Sequence, residues 1–264
     1  MTPDNTPQAI NRLIRIVAAL RSPRGCPWDR DQTPASLRRF LLEEAYEVLE
    51  ALDQEDITNI RLELGDLLLQ IVLLSRMFEE SGLFGLSDVA NGIADKLVLR
   101  HPHVFQGTDI GDRDDLDRQW DRIKAAEKEG GKRKGVLAGI PRRLPALLRA
   151  QKVTERAARV GFDWPDRHGV EEKIAEEVAE FLEACGNRSP VGIENEFGDL
   201  LFSLVNLARF LDISAEDALR KTIGRFQRRF EFIEENLREK GKTIEESSLD
   251  EMNLFWERAK QSIP

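Results

Sequence analysis

Apolar positions recur at helical spacing along the chain. The first stripe, with intervals of three and four residues, consists of Ile10, Leu13, Ile14, Val17 and Leu20. Such spacing places apolar side chains on one face of an α-helix. Further helices are predicted over "PASLRRFLLEEAYEVLEALD", "NIRLELGDLLLQIVLLSRMFEE" and "LSDVANGIADKLVLR". Because no segment has a persuasive strand pattern, the sequence predicts an all-α fold.

Several residues are candidates for the ends of these helices. We expect Thr33 and Pro34 to open the second helix, as its N-cap and first-turn residue. We expect Ser87 to cap the fourth. The third helix is apolar around most of its circumference, which is typical of a helix at the centre of a bundle or at a subunit interface. A homodimer in which the two halves of each chain help to bury these faces is therefore predicted.

Four acids in the first half recur 133 positions later without a gap. The first set is Glu44, Glu47, Glu63 and Asp66, and the second is Glu177, Glu180, Glu196 and Asp199. The flanks follow, since "GCPWD" matches "GFDWP" and "WDRIK" matches "WERAK". Such repetition predicts two tandem units of one fold. Glycines in "EKEGGKRKGVLAGIP" break helical periodicity, so we expect a first repeat at residues 8–128, a linker at 129–140 and a second repeat at 141–264.

Charge and composition exclude several classes of function. The 264 residues carry a formal net charge of −9, which argues against direct nucleic-acid binding but allows a small phosphate ligand held by local cations or metal ions. The two cysteines, Cys26 and Cys185, form no disulfide framework or zinc motif. The N-terminal segment lacks an apolar signal core, and the apolar stretches are too short to span a bilayer. We therefore expect a cytoplasmic protein with no membrane association.

The repeated acids lie on predicted helices whose other residues are mostly apolar, as is typical of buried helices. Glu44 and Glu47 are three residues apart and share a helix face, as do Glu63 and Asp66. A turn at "DQEDITN" allows the two helices to run antiparallel, so that the four carboxylates can meet. Clustered carboxylates repel one another, and a hard divalent cation such as Mg²⁺ or Mn²⁺ removes the conflict. The alternative is that the acids are solvent-facing charges on amphipathic helices.

The order of these motifs resembles that of the MazG family of nucleoside triphosphate pyrophosphohydrolases. The resemblance rests on Glu-Glu-x-x-Glu, a spacer and Glu-x-x-Asp followed by a basic helix, together with "CPWD", "LELGDLL" and "RHPHVF", and it covers roughly residues 8–260. It implies an all-α four-helix unit related to the dimeric all-α dUTPases. It also implies Mg²⁺-dependent cleavage of nucleoside triphosphates between the α- and β-phosphates, giving the monophosphate and pyrophosphate.

The resemblance assigns roles to residues. Both sets of four repeated acids would be metal ligands, and Glu43 and Glu176 would bind an additional metal or orient the attacking water. The candidate phosphate-binding residues are Lys173, Arg225 and Arg229 in the second half and Lys96 and Arg100 in the first. Trp256 resembles a position near the nucleotide, although core packing is equally open. Family members commonly have Asn-x-Lys in the basic helix, where this chain has Ile223 and Ala94 in place of the Asn.

Two other functions compete with the nucleotide-pool enzyme. A di-iron bundle also gathers carboxylates on helices, but it uses Glu-x-x-His, which this sequence lacks. A catalytically weak scaffold, in which one or both repeats serve only dimerisation or regulation, stays open. The pair His101 and His103 is expected to mark a turn rather than a metal site. Because Phe40 stands where the second half has Lys173, we expect the second half to bind the triphosphate more tightly.

Overall fold

The computed structural model describes residues 5–107 and 135–263. The chain divides into two compact units, Met1–Gly131 and Lys132–Pro264. Within the described residues every regular element is a helix, which confirms the all-α prediction. Trp120 and part of the predicted linker lie outside the described residues, and the predicted boundaries of the repeats stay a prediction. No helix in the described ranges is long and apolar enough to cross a membrane.

The first unit is built around a hairpin of two long helices. Its helices are α1 (Thr6–Leu20), α2 (Pro27–Asp31), α3 (Leu37–Asp53), α4 (Ile57–Glu80), α5 (Leu86–Arg100) and α6 (Pro102–Phe105). The α3 and α4 helices pack against each other along their length, and α1 and α5 both pack against α4. The apolar α4 is therefore the central helix of this unit.

The second unit repeats the hairpin. Its helices are α7 (Ala146–Ala158), α8 (Arg167–Gly186), α9 (Pro190–Phe210), α10 (Ala215–Glu239) and α11 (Leu249–Ser262). The α8 and α9 helices form the hairpin, and α7 packs against both α9 and α10. The last helix, α11, packs against α10. At 21 residues α9 is shorter than its counterpart α4, which has 24.

Two predicted helix starts are wrong. The helix predicted to begin at Pro34 begins at Leu37, because residues 34–36 form a turn in which Thr33 and Ser36 exchange side-chain and backbone hydrogen bonds. The cap of α5 is Gly85 rather than Ser87, and the carboxylate of Asp88 accepts a hydrogen bond from the Gly85 N–H at 2.8 Å. An acid three residues into the helix thus satisfies the free donor at its start.

The turns between the hairpin helices have the same backbone path. Glu55 and Arg188, which are 133 positions apart, both adopt left-handed conformations with φ of 55° and 52°. Asp56 N–H bonds to the carbonyl of Ala51 at 3.1 Å, and Ser189 N–H bonds to the corresponding carbonyl of Ala184 at 3.4 Å. The last residue of each turn caps the helix that follows it: the side chain of Asp56 caps α4, and that of Ser189 caps α9. Each turn therefore fixes how its two helices face each other.

Each unit has its own apolar core. In the first, α1, α3 and α4 bury Val17, Leu37, Val72, Leu73 and Met77. In the second, α10 and α11 bury Ile233, Leu237 and Phe255. Large apolar side chains on the hairpin helices stay exposed in the single chain, among them Leu62, Leu64, Phe197, Phe202 and Leu204. The exposed fraction ranges from 43% to 53% of each of these residues, so these faces have room for further packing.

Candidate functional site

The first hairpin gathers three of its four predicted metal ligands. One carboxylate oxygen each from Glu44 on α3 and from Glu63 and Asp66 on α4 lie within 4.8 Å of one another. Glu63 and Asp66 share a face of α4 because they are three residues apart. We call this group, with Glu47 and Glu43 beside it on α3, the first cluster. Oxygen ligands at this spacing suit a hard divalent cation.

The second hairpin gathers the equivalent acids. Glu177 on α8 and Glu196 and Asp199 on α9 also have one carboxylate oxygen each within 4.8 Å of one another. With Glu180 and Glu176 on α8, they form the second cluster. Both clusters occupy the same place in their units, because the hairpin turns are alike and no residue is inserted between the turn and the acids.

The fourth acids, Glu47 and Glu180, lie outside these groups of three but close enough for their charges to act on them. Burial and the charges of Glu47 and Asp66 raise the pKa of Glu63. Burial and the charges of Glu180, Asp199 and Glu177 raise the pKa of Glu196. Carboxylates that disfavour one another's ionised form are stabilised by a cation between them.

Gln70, which the sequence reasoning missed, belongs to the first cluster. It is only 8% exposed, and its Nε2 donates to Glu44 Oε1 at 3.2 Å. This hydrogen bond opposes the burial that raises the pKa of Glu44, yet the net shift is upward because the charges of Asp66 and Glu47 add to burial. The available signal was a polar residue four positions after Asp66 on an otherwise apolar helix.

In the second cluster the acid equivalent to Glu44, Glu177, is held by Lys173. Its Nζ donates to Glu177 Oε1 at 2.9 Å and pairs with Glu176 Oε1 at 3.0 Å. These two carboxylates raise the pKa of Lys173, which keeps it charged. The other carboxylate oxygen of Glu177, Oε2, is buried and has no hydrogen-bond partner in the described part of the chain. A buried charged oxygen without a partner is costly, and a bound cation would satisfy it.

The two predicted catalytic acids lie at the outer side of the clusters. The side chain of Glu176 is 56% exposed and is held by Lys173. Glu43, its counterpart in the first unit, is also exposed. Both positions leave the carboxylate open to solvent water beside the other acids of the cluster. Their catalytic role stays a prediction.

The predicted arginine ligands of α10 have other contacts. Arg225 donates to the hydroxyl of Thr222 at 3.1 Å, one turn earlier on the same helix. Arg229 donates twice to the carbonyl oxygen of Ile263, at 3.0 and 2.8 Å. Its guanidinium carbon also lies 5.9 Å from the ring centre of Trp256. For Arg229 to bind phosphate, it would have to release that carbonyl.

Trp256 packs where α10 and α11 meet. Its ring centre lies 5.1 Å from that of Phe226, and it covers the buried cluster around Phe255. This is the packing role that the sequence left open, and a nucleotide contact stays a prediction. In the first unit, Lys96 and Arg100 lie on α5. Their predicted phosphate contacts likewise stay predictions.

The histidine pair marks the junction of α5 and α6. His101 ends α5 and precedes Pro102, the first residue of α6. Its Nδ1 lies 2.7 Å from the carbonyl oxygen of Leu97. Among the described residues, neither His101 nor His103 belongs to a group of acids, cysteines or histidines spaced to hold a metal.

Comparison with known proteins points to one family. The family model described as the MazG nucleotide pyrophosphohydrolase domain matches residues 32–105 and 167–232. A nucleoside triphosphate pyrophosphohydrolase/pyrophosphatase MazG from Thermotoga maritima is 45% identical over 249 residues, which are 94% of each chain. A nucleoside triphosphate pyrophosphohydrolase from Escherichia coli K12 is 41% identical over 255 residues, covering 96% of this chain and 97% of the relative.

A solved structure is similar over part of the chain. It is described as a mazG-related protein from Thermotoga maritima, with 27% sequence identity and a TM-score of 0.38. The match covers 44% of this chain and 98% of that one.

Proposed function

The chain belongs to the MazG nucleotide pyrophosphohydrolase family, and from that premise we propose that it hydrolyses nucleoside triphosphates, ribo- or deoxyribo-, to the monophosphate and pyrophosphate. We further propose that the reaction depends on Mg²⁺, for which Mn²⁺ can substitute, and that it serves nucleotide-pool housekeeping. This proposal is supported by relatives that match this chain over nearly its full length and by the acidic cluster in each unit.

The observation that carries the metal dependence is the unpartnered Oε2 of Glu177. This residue is 5% exposed, and its Oε2 belongs to a carboxylate surrounded by Glu196 and Asp199. Oxygen ligands are those that Mg²⁺ prefers, and Mg²⁺ is commonly held jointly by protein carboxylates and substrate phosphates. The second cluster therefore fits the cation that the family resemblance implies.

The residues of the second cluster would have three different roles in the reaction. Glu177, Glu180, Glu196 and Asp199 would hold the cation. A divalent cation in such a site neutralises phosphate charge and lowers the pKa of a bound water. Glu176, exposed at the edge of the cluster, would orient the water that attacks phosphorus. The ammonium of Lys173 would turn from Glu177 to a phosphate oxygen when substrate arrives.

We assign turnover to the second unit. Lys173 supplies a cation beside its acids, whereas Phe40 holds that position in the first unit and packs against its core. A triphosphate needs protein cations as well as metal, since its negative charge is large. The first unit is then structural or regulatory.

The test is pyrophosphate release from a panel of ribo- and deoxyribonucleoside triphosphates. Wild type should release pyrophosphate with Mg²⁺ and stop with EDTA. Glu177→Ala should lower kcat/KM by at least about 100-fold, and Glu44→Ala should have a much smaller effect. Equal losses, or a larger loss from Glu44→Ala, would reverse the assignment of the active unit. No release of pyrophosphate from any substrate would favour the scaffold instead.

A further inference from the structure

The equivalent acids Glu44 and Glu177 are held by different groups in the two clusters. In the first unit, Glu44 accepts a hydrogen bond from the neutral amide of Gln70. In the second, Glu177 is bound by the charged ammonium of Lys173. Neither holding group has an equivalent in the other unit. The first unit has Phe40 at the position of Lys173, and the second unit has Ser203 at the position of Gln70. The clusters are thus alike in acids but differ in charge.

The charge difference is one full positive charge. The ion pairs in the described part of the first unit join Arg21 and Arg76 to Glu79 and Glu80, and none includes an acid of the first cluster. In the second cluster an ammonium lies 2.9 Å from a ligand oxygen, where it competes with any metal for that oxygen. A cation in the second cluster therefore either binds Glu177 Oε2 beside the ammonium of Lys173, against its charge, or displaces Lys173 from Oε1. A cation in the first cluster meets no ion-paired ammonium among the described residues.

Besides the grouped acids, the side chain of Gln70 indicates that the first cluster binds a cation. Its side chain is nine-tenths buried, and its amide is directed at the cluster through the bond to Glu44. Its carbonyl oxygen, Oε1, has no hydrogen-bond partner among the described residues. Carboxamide oxygens bind hard cations directly or through a bound water. Groups that orient a metal-binding carboxylate commonly change metal affinity 10- to 100-fold when they are replaced.

We propose that the first cluster is a divalent-cation site that fills without nucleotide, that Gln70 positions Glu44 in it, and that the second cluster fills together with its nucleotide. This rests on the proposed function only in taking both clusters to bind divalent cations. At low free metal the first unit is loaded before the second, so a cation there is part of the resting protein. Gln70 is a positioning residue in this site.

The experiment is a titration of the full chain with Mn²⁺ without nucleotide, in which electron paramagnetic resonance measures free Mn²⁺. Wild type should show one tighter site. Glu63→Gln should abolish it, and Glu196→Gln, the equivalent change in the second unit, should leave it. Gln70→Leu should weaken it about 10-fold or more, whereas Ser203→Ala at the equivalent position should not change it. Gln70→Asn, which shortens the amide by one methylene, should act in the same direction if Gln70→Leu folds poorly.

The reverse change isolates the second cluster. In a Glu63→Gln background, Lys173→Met should strengthen nucleotide-free Mn²⁺ binding about 10-fold, since it removes the ammonium from the carboxylate of Glu177. The inference is overturned if Glu196→Gln abolishes the tighter site, if both Gln70 variants bind as wild type, or if Lys173→Met has no effect. The proposed function is judged separately, by pyrophosphate release from wild type with Mg²⁺ and with EDTA. Failure of the titration with metal-dependent turnover intact therefore removes only this inference.

Discussion

At the scale of single residues, Lys173 distinguishes the two units. The first unit has Phe40 at the aligned position, whereas the ammonium of Lys173 contacts both Glu176 and Glu177. A lysine in this place neutralises part of the acidic cluster before substrate arrives. On the function proposed above, it would then pass from the carboxylates to a phosphate, because both are oxygen anions that accept its three donors.

Replacing Lys173 should affect substrate binding more than it affects the chemical step. We expect Lys173→Met to raise KM for the triphosphate about 10-fold, since a charged hydrogen bond to phosphate is lost, with a smaller change in kcat. Steady-state kinetics would measure both constants. Arg167→Met removes a cation from the start of the same helix, where Arg167 pairs with Glu171, and should leave KM unchanged. A fall in kcat with KM unchanged would contradict the phosphate role.

The raised pKa of Glu196 predicts a pH-dependent stability without metal. Burial first, then the charges of Glu180, Asp199 and Glu177, raise this pKa above its ordinary value of 4.5. The folded state then binds protons more tightly than the unfolded state, so the free energy of unfolding falls as pH rises from about 4.5 through the raised pKa. In EDTA, Glu196→Gln should therefore melt at a higher temperature than wild type at pH 7, with the difference vanishing near pH 4.

The control for that measurement is Glu194→Gln, which removes an exposed acid from the same helix. Its melting temperature should follow that of wild type at both pH values. If Glu196→Gln melted below wild type at pH 7, or if the difference did not vary with pH, repulsion within the cluster would not be the cause.

Sequence alone was sufficient for the helix positions of the acids but not for their partners. Spacing of three residues placed Glu63 and Asp66 on one face, because helix geometry is local. The contact of Gln70 with Glu44 joins α4 to α3, and that of Arg229 with Ile263 joins α10 to the residue that follows α11. They depend on how far apart and how rotated those helices are, which apolar spacing does not specify.

At the scale of elements, the long helices were predictable and their ends were not. Three or more turns of apolar spacing are enough to recognise α1, α3 or α4. The five residues of α2 are too short to show a period. The cap at Gly85 depends on the side chain of Asp88, three residues later, so Ser87, the better capping type, was a misleading signal.

The hairpin turn of the second unit should gain stability from glycine. Arg188 has a φ of 52°, a conformation that costs a side-chain-bearing residue about 1 kcal/mol and glycine little. We expect Arg188→Gly to raise the free energy of unfolding by about 1 kcal/mol or slightly less, as measured by urea denaturation. Asn187→Gly is the matched control, since Asn187 has a φ of −76°. It should be neutral or destabilising, and stabilisation by both would mean that φ is not the cause.

At the scale of the whole molecule, the exposed apolar side chains of the hairpins predict a homodimer. Phe197, Leu201, Phe202 and Leu204 on α9 are each 39% to 49% exposed in the single chain. Burial of such side chains is worth about 25 cal/mol per Å² of apolar surface. Light scattering at micromolar concentration should give twice the chain mass of 30.1 kDa. A single-chain mass would contradict the prediction.

A charge on this face provides the companion test. Phe202→Glu should shift the light-scattering mass toward that of a single chain, because an unpaired carboxylate would have to be buried at the contact. Leu249→Glu, at a 68% exposed residue of α11, adds the same charge elsewhere and should leave the mass unchanged. Loss of the dimer in both variants would indicate a general charge effect.

The two hairpin turns also bear on how the chain came to have two units. Gln54, Glu55 and Asp56 in one turn share no amino acid with Asn187, Arg188 and Ser189 in the other. Even so, their backbone hydrogen bonds correspond, including those donated by Ile60 and Ile193 at 2.8 Å. After duplication of an ancestral unit, selection would then have preserved the path of the main chain while the side chains of the turn diverged. Related proteins should vary freely in these three residues and rarely in their number.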